Sequence, residues 1–197
     1  MSQCTSTDSD THPTRYVFLG APGSGKTTQA KRLAHDYQLP YIGTGEILFE
    51  GIAQNTPLGQ QAKPFVEQGK LVPDKLMIAF IRERLHQGDT AQGWVLDGYP
   101  RTAFQAEELD FLFMQEKQLV DYAIWLQVSL ENLIERSTQR GRIDDHPEAL
   151  QERLRSFEQA TQPLLEYYAA QQKLIIIQGD GDPDNVQAEI RARLSLI

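Results

Sequence analysis

The amino-acid sequence predicts an α/β fold, a parallel sheet with helices on both faces. Two observations carry this. Five short, apolar, β-rich runs recur along the chain: YVFL (16–19), YI (41–42), WVL (94–96), YAIWLQV (122–128) and LIII (174–177). Helix-length segments separate them, and the runs are mostly continuous rather than alternating, as strands buried on both faces are. Strand and helix taking turns in this way imply parallel strands, each crossover helix covering one face of the sheet.

The elements follow in order. Residues 1–14, MSQCTSTDSDTHPT, read as a disordered polar tail. They lack the apolar core of a secretory signal, and Asp8 and Asp10 are unlike an acid-poor transit peptide. Residues 15–197 are expected to form one domain, the size that a single α/β core suits. The first strand run enters GAPGSGKT and then a helical segment, KTTQAKRLAHDY (26–37). After the second run, residues from about 44 to 73 contain helical pieces punctuated by Gly51, Pro57, Gly59 and Gly69, and read as a small helical insertion. DKLMIAFIRERLHQ (74–87) and TAFQAEELDFLFMQEK (102–117) flank the third run, each with apolar residues at helical spacing. SLENLIERSTQR (129–140) carries Ser129 as its N-cap and Gly141 as its stop. Pro147 suits the first residue of the next helix. GDGDPDN (179–185) is turn chemistry between the last strand and a closing helix.

Composition narrows the function. Of the 197 residues 40% are hydrophobic and 23% charged, an ordinary globular balance, and the formal net charge is -8. That balance argues against binding along a nucleic-acid backbone, which needs a basic face. No apolar run is long enough to cross a bilayer. The single cysteine, Cys4, makes no internal disulfide and no cysteine zinc site, which fits a reducing, cytoplasmic setting. His12, His35, His86 and His146 have no mutual spacing suited to metal or triad chemistry.

The chemistry sits in GAPGSGKT. Gly20, Ala21, Pro22, Gly23, Ser24, Gly25, Lys26 and Thr27 match G-x-x-x-x-G-K-[ST] between a strand run and a helix, the context that gives the motif its meaning. Glycines let successive backbone N–H groups close around phosphate oxygens. The helix beginning KTT, with Thr28 in its first turn, presents its positive end to the same anion. Lys26 would reach the β- and γ-phosphates and the Thr27 hydroxyl would ligate Mg²⁺. Asp97, ending the run GWVLD, stands where a strand-end carboxylate holds Mg²⁺ directly or through water; no partner strand follows, so Asp97-Gly98 is not a hairpin turn.

An arginine cluster completes the pattern. Arg136 and Arg140 are four apart on one helical face, Arg142 follows the stop, and Arg153 lies on the next helix. Cations converging near a phosphate loop would spread positive charge over a transferring phosphoryl group.

In combination these motifs resemble the adenylate kinases of the nucleoside monophosphate kinase family, in a short-lid form. The resemblance runs from Tyr16 to the C-terminus through GAPGSGKTTQA, TGE, GKLVPD, LDGYPRTAFQAE and RSTQRGRIDD. It implies a P-loop NTPase core with a five-stranded parallel sheet, a monophosphate-binding insertion at about 44–73 and a minimal lid at about 137–146. It implies reversible transfer from Mg-ATP to AMP, giving two ADP, by a monomer. By position it implies that Gly20 to Thr28 and Arg136 hold ATP, and that Thr44, Lys70, Leu71, Val72, Gly98, Arg101, Gln105, Arg142 and Arg153 hold AMP, with Gln105 reading the adenine edge. Lys26, Arg136, Arg140, Arg142 and Arg153 would serve the transfer, and Thr27 and Asp97 the metal. The threonine in YPRT and the run LVPD are more like adenylate than uridylate–cytidylate members. No general base is required, because the attacking phosphate oxygen is already ionised at neutral pH.

Three departures stand out. Phe49 occupies the position of the family's arginine, with Glu46 in place of its aspartate; losing a charged contact of about 1.5–3 kcal/mol would weaken the acceptor by roughly 10- to 150-fold. Gly141 alone separates Arg140 from Arg142, so closure and water exclusion are expected to be poorer. Thr27 stands where most members have glycine. The alternatives left by these departures are a kinase for another monophosphate or small acceptor, and a nucleotide-binding protein with little activity.

Overall fold

The computed structural model describes residues 14–68, 72–114, 119–140 and 147–196, with 140, 147–153 and 156 described by backbone alone. The chain runs β1 (Thr14–Leu19), α1 (Lys26–Tyr37), β2 (Tyr41–Gly43), α2 (Thr44–Ala53), α3 (Pro57–Glu67), α4 (Asp74–Leu85), β3 (Gly93–Asp97), α5 (Ala103–Phe113), β4 (Tyr122–Gln127), α6 (Leu130–Arg140), α7 (Pro147–Ala170), β5 (Leu174–Gln178) and α8 (Pro183–Leu194). The five strands form one parallel sheet in the order β2-β3-β1-β4-β5. Each of the five apolar runs is a strand, as the sequence predicts.

The alternating faces of a strand explain the two halves of the core. Val17 and Leu19 of β1 point into one cluster with Leu96, Ile81, Leu109 and Tyr168, which places α4, α5 and α7 on that face. Tyr16 and Phe18 point into the other with Val95, Ile124, Leu33 and Ile190, under α1 and α8. Fully burying side chains of this size stabilises by about 1.5–3 kcal/mol each, so the sheet's centre is the rigid base on which its ends are displayed.

Element ends differ from the sequence reading in small ways with local causes. β1 begins at Thr14, inside the span assigned to the tail, because the ladder pairs Thr14 with Gly93. Helix α8 starts at Pro183, within the predicted turn, since the Asp182 carboxylate caps it by accepting from the Asp184 N–H at 2.8 Å. Ser129 is the expected cap of α6, with the Asn132 N–H donating to its hydroxyl at 3.4 Å, a long contact. The span read as an insertion holds α2 and α3. Much of the predicted lid, including Gly141 and Arg142, lies outside the described residues, as do Lys70 and Leu71. Among the described residues no helix is long and apolar enough to cross a membrane.

Strand β1 is flanked by β3 and β4, and the chain crosses first to one side of it and then to the other. In open parallel sheets the crevice at such a reversal, outside the carboxyl ends of the strands, is where ligands bind.

Candidate active site at the carboxyl ends of the strands

The register fixes what meets there. Phe18 of β1 and Gly43 of β2 both lie beside Asp97, so the ends of three strands converge on one carboxylate. The phosphate-loop sequence leaves β1 at this level and turns into α1.

That loop is shaped by backbone. Gly23 and Gly25 have φ values of 87° and 88°, left-handed conformations that a β-carbon disfavours. Gly25 caps α1 without any side chain, so the helix's first N–H groups are not consumed by a capping oxygen. A Cβ on Gly23 would stand 2.9 Å from the Leu133 carbonyl oxygen and 2.5 Å from the Ser137 hydroxyl, so the loop packs directly beneath α6. The buried Ser24 hydroxyl has no hydrogen-bond partner among the described residues, which leaves it available to a phosphate oxygen. The Lys26 ammonium donates to the Ala21 carbonyl at 2.9 Å, spanning its own loop.

Asp97 is the hub. It is only 6% exposed. Its Oδ2 accepts from the Thr27 hydroxyl at 2.5 Å and from the Tyr41 hydroxyl at 3.0 Å, while its backbone carbonyl accepts from Thr44 at 2.7 Å. The sequence reading gives Thr27 and Asp97 each a metal role, and the structure joins the two by a direct hydrogen bond. Tyr41 was not predicted. Burial first, and then the neighbouring Asp97 carboxylate, push its phenol well above the ordinary tyrosine value, so it is a stable donor.

The predicted acceptor residues gather on the β3–α5 side. Gly98 takes φ 87°, and a Cβ there would meet the Thr44 hydroxyl at 2.3 Å, so Thr44 and the strand end are in close contact. A cis peptide joins Tyr99 to Pro100. The Arg101 Nε donates to the Gly98 carbonyl at 2.8 Å and its backbone N–H to the Gln105 Oε1 at 2.7 Å. Gln105, buried, donates its amide to the Asp74 carboxylate at 2.7 Å. Asp74 was visible in LVPD but had been given no role. Val72 is half-buried just before it. On α2, Phe49 is 60% exposed, while Glu46 pairs with Lys31 of α1 at 2.7 Å.

The arginines do not all fall where the sequence reading put them. Arg136, expected to flank the phosphates, has its guanidinium on the β5–α8 turn, donating to the carbonyls of Gly179, Asp180 and Gly181 at 2.8, 3.0 and 3.3 Å. The turn presents several carbonyls on one side, and a rigid multi-donor fork meets them together. Arg140 ends α6 and Arg153 lies in α7, both described by backbone alone; Arg142 lies outside the described residues.

A glycine loop under a helix, followed by a lysine and a threonine bonded to a strand-end aspartate, defines a P-loop nucleotide-binding protein. Its only predicted chemistry is the movement of phosphoryl groups. Comparison with known proteins makes this specific. The family model for Adenylate kinase matches residues 18–173. Adenylate kinase 2 of Synechocystis sp. is 52% identical over 180 residues, covering 91% of this chain and 99% of that protein. Adenylate kinase 2 of Nostoc sp. is 48% identical over 176 residues, with 89% and 96% covered, and Adenylate kinase of Trichodesmium erythraeum is 40% identical over 188 residues, with 93% and 98% covered. The chain belongs to the adenylate kinase family. It is a phosphotransferase whose acceptor is itself a phosphate group, carrying a phosphoryl group from ATP to AMP and giving two ADP.

Proposed function

We propose that the chain carries out this transfer on Mg²⁺-bound ATP, as a cytoplasmic monomer, with the phosphates held between the glycine loop and Asp97. The observation that carries the reading is the Thr27–Asp97 hydrogen bond at the meeting of β1 and β3. A hydroxyl and a carboxylate are hard oxygen donors, and Mg²⁺ in nucleotide sites takes one or two protein oxygens beside phosphates and waters. The residues therefore fit the ion, which when bound would offset the charge of the transferring group.

In this reading the N–H groups from Gly20 to Thr28 and the Lys26 ammonium hold the donor phosphates, Lys26 leaving the Ala21 carbonyl to do so. Thr44, Val72, Gly98, Arg101 and Gln105 form the acceptor wall, with Lys70 and Leu71 from the adjoining segment. Arg140, Arg142 and Arg153 supply positive charge to the transferring group. Arg136 braces the 179–181 turn beside the loop and reaches a phosphate only by leaving those carbonyls. No side chain has to remove a proton, since the acceptor phosphate is already ionised. Catalysis here is positioning and charge stabilisation.

The test is Mg-ATP turnover against AMP, CMP, UMP, GMP and dAMP up to millimolar acceptor, with Phe49→Arg run beside the wild type. ADP formation favouring AMP is expected, with an AMP KM lowered about tenfold by Phe49→Arg. That figure is the low end of a charged hydrogen bond, because α2's surface is screened by solvent. A preference for another acceptor, or ATP binding with no transfer, would overturn the reading.

A further inference from the structure

We infer that Tyr41 is a positioning residue for Asp97, held in place by a space that Gly43 leaves for it. This rests on the reading of Asp97 as the carboxylate that serves Mg²⁺.

The observations are geometric. Tyr41 begins the short edge strand β2 and lies across its own strand so that its hydroxyl donates to the Asp97 Oδ2 at 3.0 Å. An ideal Cβ on Gly43 would stand 2.7 Å from that hydroxyl oxygen, 3.1 Å from Cε1 and 3.2 Å from Cζ. Gly43 has φ −88° and ψ 119°, an extended backbone that any residue adopts, so conformation does not demand a glycine there. Space does. The ring occupies the volume where a side chain would be. The Lys31 ammonium sits over the ring, 4.8 Å from its centroid, a cation–π distance, and pairs at the same time with Glu46 of α2. The tyrosine is thus held by the space that Gly43 leaves and by a cation over its ring, with its donor aimed at a single oxygen.

The need for a second donor follows from the first. Thr27 and Tyr41 share Asp97 Oδ2. A threonine hydroxyl beside a cation has to serve two partners at once, a lone pair toward the ion and its hydrogen toward Asp97, which limits how freely it can set the carboxylate's direction. Tyr41 has no such second duty. It keeps Asp97 oriented whichever way Thr27 turns, as outer partners orient the carboxylates of metal sites, where removing one costs about 10–100-fold in metal affinity or activity.

The experiment measures ATP binding calorimetrically in EDTA and in saturating Mg²⁺, together with the Mg²⁺ concentration that gives half-maximal turnover. Tyr41→Phe keeps the ring and removes only the donor. Expected is unchanged ATP affinity in EDTA and a half-saturating Mg²⁺ raised about tenfold or more, with a wild-type thermal midpoint. Gly43→Ala displaces the far end of a side chain and is expected to reproduce the same shift, the double variant being no worse than either single because both remove one hydrogen bond. Wild-type Mg²⁺ dependence in Tyr41→Phe overturns the inference, as does a loss of thermal stability with no change in Mg²⁺ dependence. Asp97→Asn separates the levels. If it shifts the Mg²⁺ requirement and Tyr41→Phe does not, only the tyrosine's role fails. If neither shifts it, the metal reading of Asp97 fails as well.

Discussion

The donor and acceptor sides of the site are made of different material. On the donor side the loop from Gly20 to Thr27 gets its form from backbone. Left-handed glycines, an uncapped helix end and the close seat beneath α6 leave little for side chains to decide. On the acceptor side the form comes from side chains already bonded to one another. Gln105 holds Asp74 and the Arg101 N–H, Arg101 holds Gly98, and Glu46 holds Lys31. A backbone cradle offers its donors at no reorganisation cost. A side-chain wall must exchange internal partners for the ligand, and only the difference between the two sets of bonds appears as affinity. Donor-side changes should therefore act on turnover, and acceptor-side changes on KM.

The largest break of that comparison is Lys26→Ala. Lys26 is the one long side chain in the donor cradle, and its bond to Ala21 is replaceable by water. Removing a preorganised donor from a transferring phosphoryl group is expected to lower kcat on the order of 10²–10³-fold. The thermal midpoint should stay near that of the wild type. Steady-state kinetics beside a melting curve checks both, and a variant that changes only KM would place Lys26 outside the transition state.

A smaller effect is expected from Gln105→Leu. Its amide gives up the Asp74 carboxylate to meet a base edge, so the net loss is that of one neutral hydrogen bond, about 0.5–1.5 kcal/mol, or roughly 2- to 13-fold in acceptor affinity. The AMP KM should rise by that factor while the ATP KM stays constant. A rise in the ATP KM of equal size would mean that the two sides are not separate. Some destabilisation should accompany the change, because Asp74 and the Arg101 N–H lose their shared partner.

The same division explains what could be read in the sequence. The five strand runs and GAPGSGKT were legible because apolar continuity and glycine spacing are local properties of the chain. Thr27 and Asp97 were each legible, one from the glycine-lysine spacing and the other from ending a strand run, and it is the parallel register that brings the strand ends to one level. Tyr41 was not, because nothing local distinguishes an aromatic that packs from one that folds over a glycine two residues away to reach a carboxylate on the next strand. Asp74 and Gln105 are 31 positions apart; Gln105 entered only through the resemblance, and nothing local to either residue announces the other. Arg136 was read as sharing a helical face with Arg140, but its partners are carbonyls of a turn more than forty residues later. A cluster of like charges announces an anion site, not which member of it is already engaged.

The smallest effect tests where the backbone-made side ends. At its flank the clasp between α6 and the β5–α8 turn is built from side chains, and it responds to acid. Hydrogen bonds from the Asn132 amide, then from Ser129, with Arg136 nearby, hold the Asp180 carboxylate below its ordinary value. A carboxylate whose folded value is depressed contributes stability that is full above its unfolded value, near pH 4, and is lost as pH falls through the folded value. Asp180→Asn should therefore lower the thermal midpoint slightly at pH 7, and that difference should close as the pH falls below about 4. Because Asp180 is almost fully exposed, the difference at pH 7 is expected to be the slightest of the three. A midpoint gap that persisted unchanged at the lowest pH would mean that the carboxylate's charge is not what holds the turn, leaving Arg136 and its three carbonyls as the clasp.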